Sequence, residues 1–142
     1  MSFPAPTSDL PTSAFQSSFQ VASHDIDELG HVNNTVYLRW VQEIATRHWQ
    51  EVAPVEDQQL LLWVVSRHEI DYKRPAKLGN EVLARTWVGA ASGLSFERHT
   101  TIERAGDGQL LAQARTWWIP INRQTHRPQR VRPDLRALFS TE

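Results

Sequence analysis

Residues 25–43 read DIDELGHVNNTVYLRWVQE, and two patterns meet inside them. As far as Asn34 the run is built of turn and cap formers: Asp25, Asp27, Gly30, His31, Asn33 and Asn34. From Val36 onward apolar residues recur at helical spacing. The run predicts a polar loop that opens an amphipathic helix over about residues 34–51. Tyr37, Val41, Ile44, Ala45 and His48 share its stripe, while Arg39, Gln42, Glu43, Arg47 and Gln50 fall largely elsewhere. A carboxylate in such a loop lies beside peptide N–H groups that have no intrahelical partner and carry the positive end of the helix dipole. Those groups can hold a carbonyl oxygen as it becomes negative, so the pattern suits acyl transfer.

Upstream, residues 15–21 alternate and contain aromatics, which predicts a first strand leading into the loop. Residues 1–13 are rich in Ser, Pro and Thr and read as a loose arm, leaving residues 14–142 as one domain. Downstream, a polar turn is expected after Pro54, followed by strands of period 2. In the first of these, Leu60, Leu62, Val64, Ser66, His68, Ile70 and Tyr72 share one face and Leu61, Trp63, Val65, Arg67, Glu69 and Asp71 the other. Residues 82–90 form the next strand, Ala91, Ser92 and Gly93 a hairpin turn, and residues 94–104 the strand after it. The last strand, 109–121, sets small residues Ala112, Ala114 and Thr116 on one face, where a helix can lie close. Residues 133–139 suggest a short closing helix. One strand, one long helix and four further strands make an α+β domain in which an antiparallel sheet wraps around the helix. The outward face would carry Trp63, Leu83, Trp87, Trp117 and Ile119, either as cover for arginine stems or as part of a subunit contact.

A length of 142 residues suits a single domain with a real core. With 15 basic and 16 acidic residues, a net charge of -1 leaves no electrostatic footprint for nucleic acid or an anionic membrane. The absence of cysteine excludes disulfides, thiolate zinc sites and thiol nucleophiles. No apolar run approaches the ~20 residues of a membrane span, and no basic-then-apolar segment opens the chain, so the cytoplasm is the expected compartment. A G-x-S-x-G elbow, a Walker loop and a dinucleotide fingerprint are all missing. Serine-hydrolase and nucleotide-cofactor chemistry fall away, and no cofactor is expected.

Asp25, Asp27, Gly30, His31, Val32, Asn33, Asn34, Tyr37 and Glu43 match the loop pattern Asp-x-Asp-x-x-Gly-His-Val-Asn-Asn-x-x-Tyr and the helical Glu of a known group. On these residues the chain resembles the hotdog-fold thioesterases, especially the bacterial 4-hydroxybenzoyl-CoA thioesterase-like acyl-CoA hydrolases. Residues 70–82, IDYKRPAKLGNEV, are similar to the family's segment between strands, so the resemblance covers about residues 15–121. It implies the hotdog fold, a five-stranded antiparallel sheet around one long helix, and hydrolysis of an acyl-CoA, with acyl-ACP as the alternative carrier. It maps the catalytic carboxylate onto Asp27 and the carbonyl-polarising backbone onto Val32, Asn33 and Asn34. It also implies a homodimer or homotetramer with pockets at the subunit boundary. Plant acyl-ACP thioesterases look similar through the same run, but Leu29 stands where their asparagine would be, which favours the acyl-CoA type. Hotdog hydratases space their aspartate and histidine one residue further apart than Asp27 and His31. A non-catalytic acyl-CoA-binding protein is the reading from another class.

Each candidate also has a plain structural role open to it. Asp27 and Asp25 suit Asx turns, and Asn33 and Asn34 suit helix capping. His31 either contacts substrate or tunes Asp27, or it is a satisfied structural histidine. Tyr37 either lines an acyl pocket or packs in the core. Glu43 reads as a solvated or interface carboxylate. His24, Asp25, Asp27 and His31 have the right ligand types for a metal, but a polar loop at a helix start needs none. Lys73, Arg74, Lys77 and Arg123 could meet coenzyme A phosphates or simply be solvated.

Overall fold

The computed structural model describes residues 14–139; the arm expected over residues 1–13 lies outside them. Strand β1 (Phe15–Gln20) leads through a single 3₁₀ turn at Ser23–Asp25 into the loop and then into helix α1 (Asn34–Val52). A short helix α2 (Val55–Leu60) and strands β2 (Leu61–Tyr72), β3 (Glu81–Ser92), β4 (Ser95–Arg104) and β5 (Leu110–Asn122) follow, and helix α3 (Pro133–Leu138) comes last. The strands form one sheet in the order β1-β3-β4-β5-β2, every neighbouring pair antiparallel. This α+β arrangement of a five-stranded sheet packed on a long helix is the hotdog fold.

The helix stripe is the core. Val36, Tyr37, Trp40, Val41, Ile44, Ala45 and His48 are buried on α1, against Val82, Ala84, Ile102, Ala112 and Ala114 of the sheet. Alanines on β3 and β5 let the helix axis approach the sheet, and each large side chain so buried contributes about 1.5–3 kcal/mol.

Three local expectations are corrected. The polar turn after Pro54 is α2, for which Pro54 is the N-cap and Glu56 and Asp57 the acidic first turn. Six residues are too few for a periodic signal. Asp57 is buried and receives both Nη atoms of Arg132, at 2.6 and 3.1 Å, which ties α2 to the approach to α3. The hairpin between β3 and β4 turns at Gly93 and Leu94, with Gly93 at φ +60°, because Ser92 still pairs with Ser95.

The third correction concerns β2, whose pairing with β5 is interrupted between Val65 and Arg67. The irregularity at Ser66 inverts the alternation. Before it the odd residues face the helix, so Leu61 is buried and Trp63 packs edge-on to Trp49 and Phe96, while Leu62 and Val64 are exposed. After it the even residues face in, with His68 on Thr116 and Tyr72 on Tyr37. Trp63 therefore leaves the outward set. Of the tryptophans that stay there, Trp87 stacks on His99, and Trp117 lies under the guanidinium groups of Arg67 and Arg115. Among the described residues no helix is long and apolar enough to cross a membrane.

Candidate functional site

The loop between β1 and α1 is held at both ends. Ile26 and Val32 form an antiparallel bridge, Asp27 N–H donates to the His31 carbonyl at 2.8 Å, and Gly30 N–H donates to the Asp27 carbonyl at 3.1 Å. This tight return requires Gly30 at φ +78°. Asp25 is the loop's buried anchor. Its Oδ2 accepts from Ala22 N–H at 2.9 Å, its Oδ1 from Arg39 at 3.0 Å, and His24 lies 3.5 Å away. Burial pushes the Asp25 carboxyl up, but the Ala22 amide, the Arg39 hydrogen bond and the nearby positive charge outweigh it and hold it below its ordinary value.

Asp27 is half-buried. Its Oδ1 accepts from the Leu29 and His31 amides at 2.9 and 3.3 Å, so the Asx-turn role is present, and its Oδ2 has no partner among the described residues. His31 meets Asp27 only through its backbone; its imidazole has no hydrogen bond or ion pair among the described residues.

The helix-opening amides divide. Val32 N–H is taken by the Ala76 carbonyl at 2.9 Å and Asn33 N–H by the Asp25 carbonyl at 2.8 Å. Asn33 is the N-cap, its side chain accepting from Thr35 N–H at 3.0 Å. Asn34 N–H, the first of the helix proper, has no acceptor among the described residues. The Val32 side chain is buried in the core.

Tyr37 is only 2% exposed, and its hydroxyl accepts from Ala76 N–H at 2.9 Å. Burial raises its pKa, so it stays a neutral phenol. Together with Tyr72, whose hydroxyl donates to the Asn34 carbonyl at 3.2 Å, it fastens the loop after β2 to the helix entrance. Tyr37→Phe leaves a buried N–H without an acceptor and is expected to cost about 1–2 kcal/mol, read as a shift in the urea midpoint. Lys73, Arg74 and Lys77 lie exposed on that same loop. Arg123 is elsewhere, donating to the Gln58 and Gln59 carbonyls at the end of α2. Glu43 lies between Arg39 and Arg47 on the outer face of the helix, at 4.0 and 3.8 Å. Among the described residues no three His, Asp or Glu side chains are placed to hold a metal.

A second polar cluster, not singled out from the sequence, lies toward the other end of α1. Arg98 on β4 is buried, and its Nη1 donates to His48 Nδ1 at 2.9 Å and to Thr86 Oγ1 at 3.1 Å. Since a guanidinium only donates, His48 Nδ1 must accept. Burial and then the Arg98 charge hold His48 down at about 3, so its ring is neutral. The parity of Arg98 with Phe96, Thr100 and Ile102 along β4 is the signal that it faces inward.

Among curated proteins, the chain is 24% identical over 138 residues to the chloroplastic palmitoyl-acyl carrier protein thioesterase of Gossypium hirsutum, an alignment with 88% of this chain and 33% of that protein. The chain spans about a third to a half of the length of the curated relatives it matches. A thioesterase from Thermus thermophilus solved with coenzyme A and Zn shares 26% identity at a TM-score of 0.73, over 87% of this chain and 90% of that one. A 1,4-dihydroxy-2-naphthoyl-CoA thioesterase from Synechocystis shares the fold at a TM-score of 0.75 and 21% identity, over 89% and 95% of the two chains. The loop, helix and sheet described above fall inside residues 12–139, which match the family model for the acyl-ACP thioesterase N-terminal domain, and the chain belongs to that family.

Proposed function

We propose that the chain is a thioester hydrolase, of the 4-hydroxybenzoyl-CoA thioesterase-like type, that cleaves an acyl-CoA to the free acid and coenzyme A in the cytoplasm. One observation carries the reading. Among the described residues, within a single loop, Asp27 keeps Oδ2 free while Asn34 keeps the one uncommitted amide of the helix entrance. In the reaction, Asp27 Oδ2 supplies the attack on the thioester carbon, as nucleophile or as base toward water. The carbonyl oxygen becomes negative against Asn34 N–H, whose dipole is already oriented and costs no reorganisation. The C–S bond then breaks and the thiolate leaves. On the base route it takes the proton Asp27 drew from water. On the nucleophilic route water hydrolyses the mixed anhydride, which frees the acid, restores Asp27 and supplies the proton. His31 and Asn33 are assigned to the substrate side of the same loop.

Acyl-ACP hydrolysis is the second reading, favoured by the family model that matches the chain. Exposed Lys73, Arg74 and Lys77 beside the helix entrance suit coenzyme A phosphates and an acidic carrier protein alike. A homodimer is proposed through β2, an edge strand of twelve residues with Leu62 and Val64 exposed, and a tetramer through the outer sheet face.

The test is free-thiol release from short, long and aromatic acyl groups, each carried on coenzyme A and on ACP. Release from the CoA series is expected. Release from the ACP series alone selects the second reading, and no release from either, with a folded protein, overturns both.

A further inference from the structure

Between the C-terminal half of α1, the sheet and α3 lies a cavity of about 270 Å³, just below the usual range of ligand sites, with a largely aliphatic and aromatic wall. Arg98 lines it. The side chain is 8% exposed, and its hydrogen bonds go only to His48 and Thr86, both through Nη1. Nε and Nη2 have no partner among the described residues, and no carboxylate pairs with the group. A cation so buried without a counter-charge is costly, because burial strips most of its hydration and two neutral acceptors replace only part of it. The same burial pulls Arg98 down to about 10, which still leaves it charged at neutral pH.

The rest of the wall suits an anion with an apolar tail. Trp63 and Trp118 add aromatic surface, their indole N–H groups being buried away from the cavity. Arg123 and Arg136 add positive charge. The acidic residue of the lining, Glu97, is committed to His99 and Arg115, at 2.8 and 3.1 Å. The cavity therefore offers free guanidinium N–H groups and positive charge on a largely apolar wall, and among the described residues no carboxylate pairs with Arg98.

We propose that this cavity binds an apolar carboxylate, seated with its carboxylate on Arg98 and its hydrocarbon among Trp49, Val88 and Leu135. The inference deepens the hydrolase reading and rests on it for the origin of the ligand. The carboxylate is either the acid freed by hydrolysis or the far end of a dicarboxylic acyl group still joined to its carrier.

Tryptophans in the wall give a readout independent of turnover. Octanoate, octanol and octylamine are titrated at neutral pH into the wild type and Arg98→Gln, following intrinsic fluorescence. Octanoate is expected to bind the wild type at least about tenfold more tightly than octanol, with octylamine weakest, and to lose that advantage in Arg98→Gln. Octanol binding as tightly as octanoate in the wild type overturns the proposal, whether or not the variant folds, and so does unchanged octanoate binding in a folded Arg98→Gln. Comparing turnover of hexadecanoyl-CoA with its ω-carboxy counterpart, long enough to span the about 21 Å of helix between Asn34 and His48, then assigns the source. Preference for the dicarboxylic thioester marks a substrate subsite, and equal turnover with octanoate inhibition marks a site for the released acid. Octanoate bound on Arg98 in a protein that hydrolyses no thioester leaves the site standing and removes the hydrolase reading.

Discussion

Asp27→Asn is expected to lower kcat for thioester hydrolysis by about 10²–10⁴-fold with the fold intact. The substitution suits this site because Asp27 does two things at once. Its Oδ1 accepts from the Leu29 and His31 amides, and an asparagine carbonyl oxygen can accept the same two hydrogen bonds. What asparagine cannot do is carry the charge of Oδ2 or take a proton there. Asp27→Ala removes both functions, loosens the loop and confounds the result. The measurement is thiol release by the two proteins beside their urea midpoints. A large loss of kcat with midpoints close together assigns the chemistry to Oδ2. Equal turnover removes Asp27 from the mechanism and leaves it as a turn residue.

The same contrast between local and tertiary roles decides how much was legible in the sequence. Helix α1 was readable because period and burial agree over many residues, and the small-residue face of β5 because Ala112, Ala114 and Thr116, all buried, share one parity. The reversal at Ser66 was not, since one irregular residue leaves no compositional mark while it flips every side chain before it, Trp63 included. Helix α2 was hidden by its shortness. In the site, residue types identified the loop, but which helix-opening amide stays free did not follow from them. That depends on the Ala76 carbonyl reaching Val32 from the loop after β2 and on the Asp25 carbonyl turning back to Asn33. Arg98 escaped notice for a related reason. An arginine in a strand is assumed to face water, and only its parity with Phe96, Thr100 and Ile102 says otherwise.

The His48–Arg98 contact makes the protein sensitive to acid, and His48→Gln is expected to remove much of that sensitivity. His48 Nδ1 accepts from Arg98 Nη1, so a proton on the ring would destroy the hydrogen bond and set two buried positive charges side by side. The folded protein resists that proton until about pH 3, whereas the unfolded chain takes it up near the ordinary histidine value of 6.5. Between the two values the unfolded state holds more protons, and stability falls as the pH falls. From pH 7.5 to pH 4.5 the wild type should lose about 2–3 kcal/mol through this group. Glutamine supplies a carbonyl acceptor for Arg98 that does not titrate, at the expense of the ring contacts His48 makes with Phe15 and Phe139. His48→Gln is therefore expected to be less stable at pH 7.5 but to lose less on acidification. His68 and His99, also lowered by burial, contribute equally to both proteins. Asp25, held below 3.8, stabilises the fold above that value and loses this contribution only at lower pH, as it is protonated. Urea midpoints of both proteins at the two pH values measure the difference in slope. Parallel slopes would mean that His48 accepts its proton in the folded protein as readily as in the unfolded chain, and that Arg98 is hydrated rather than held by the ring.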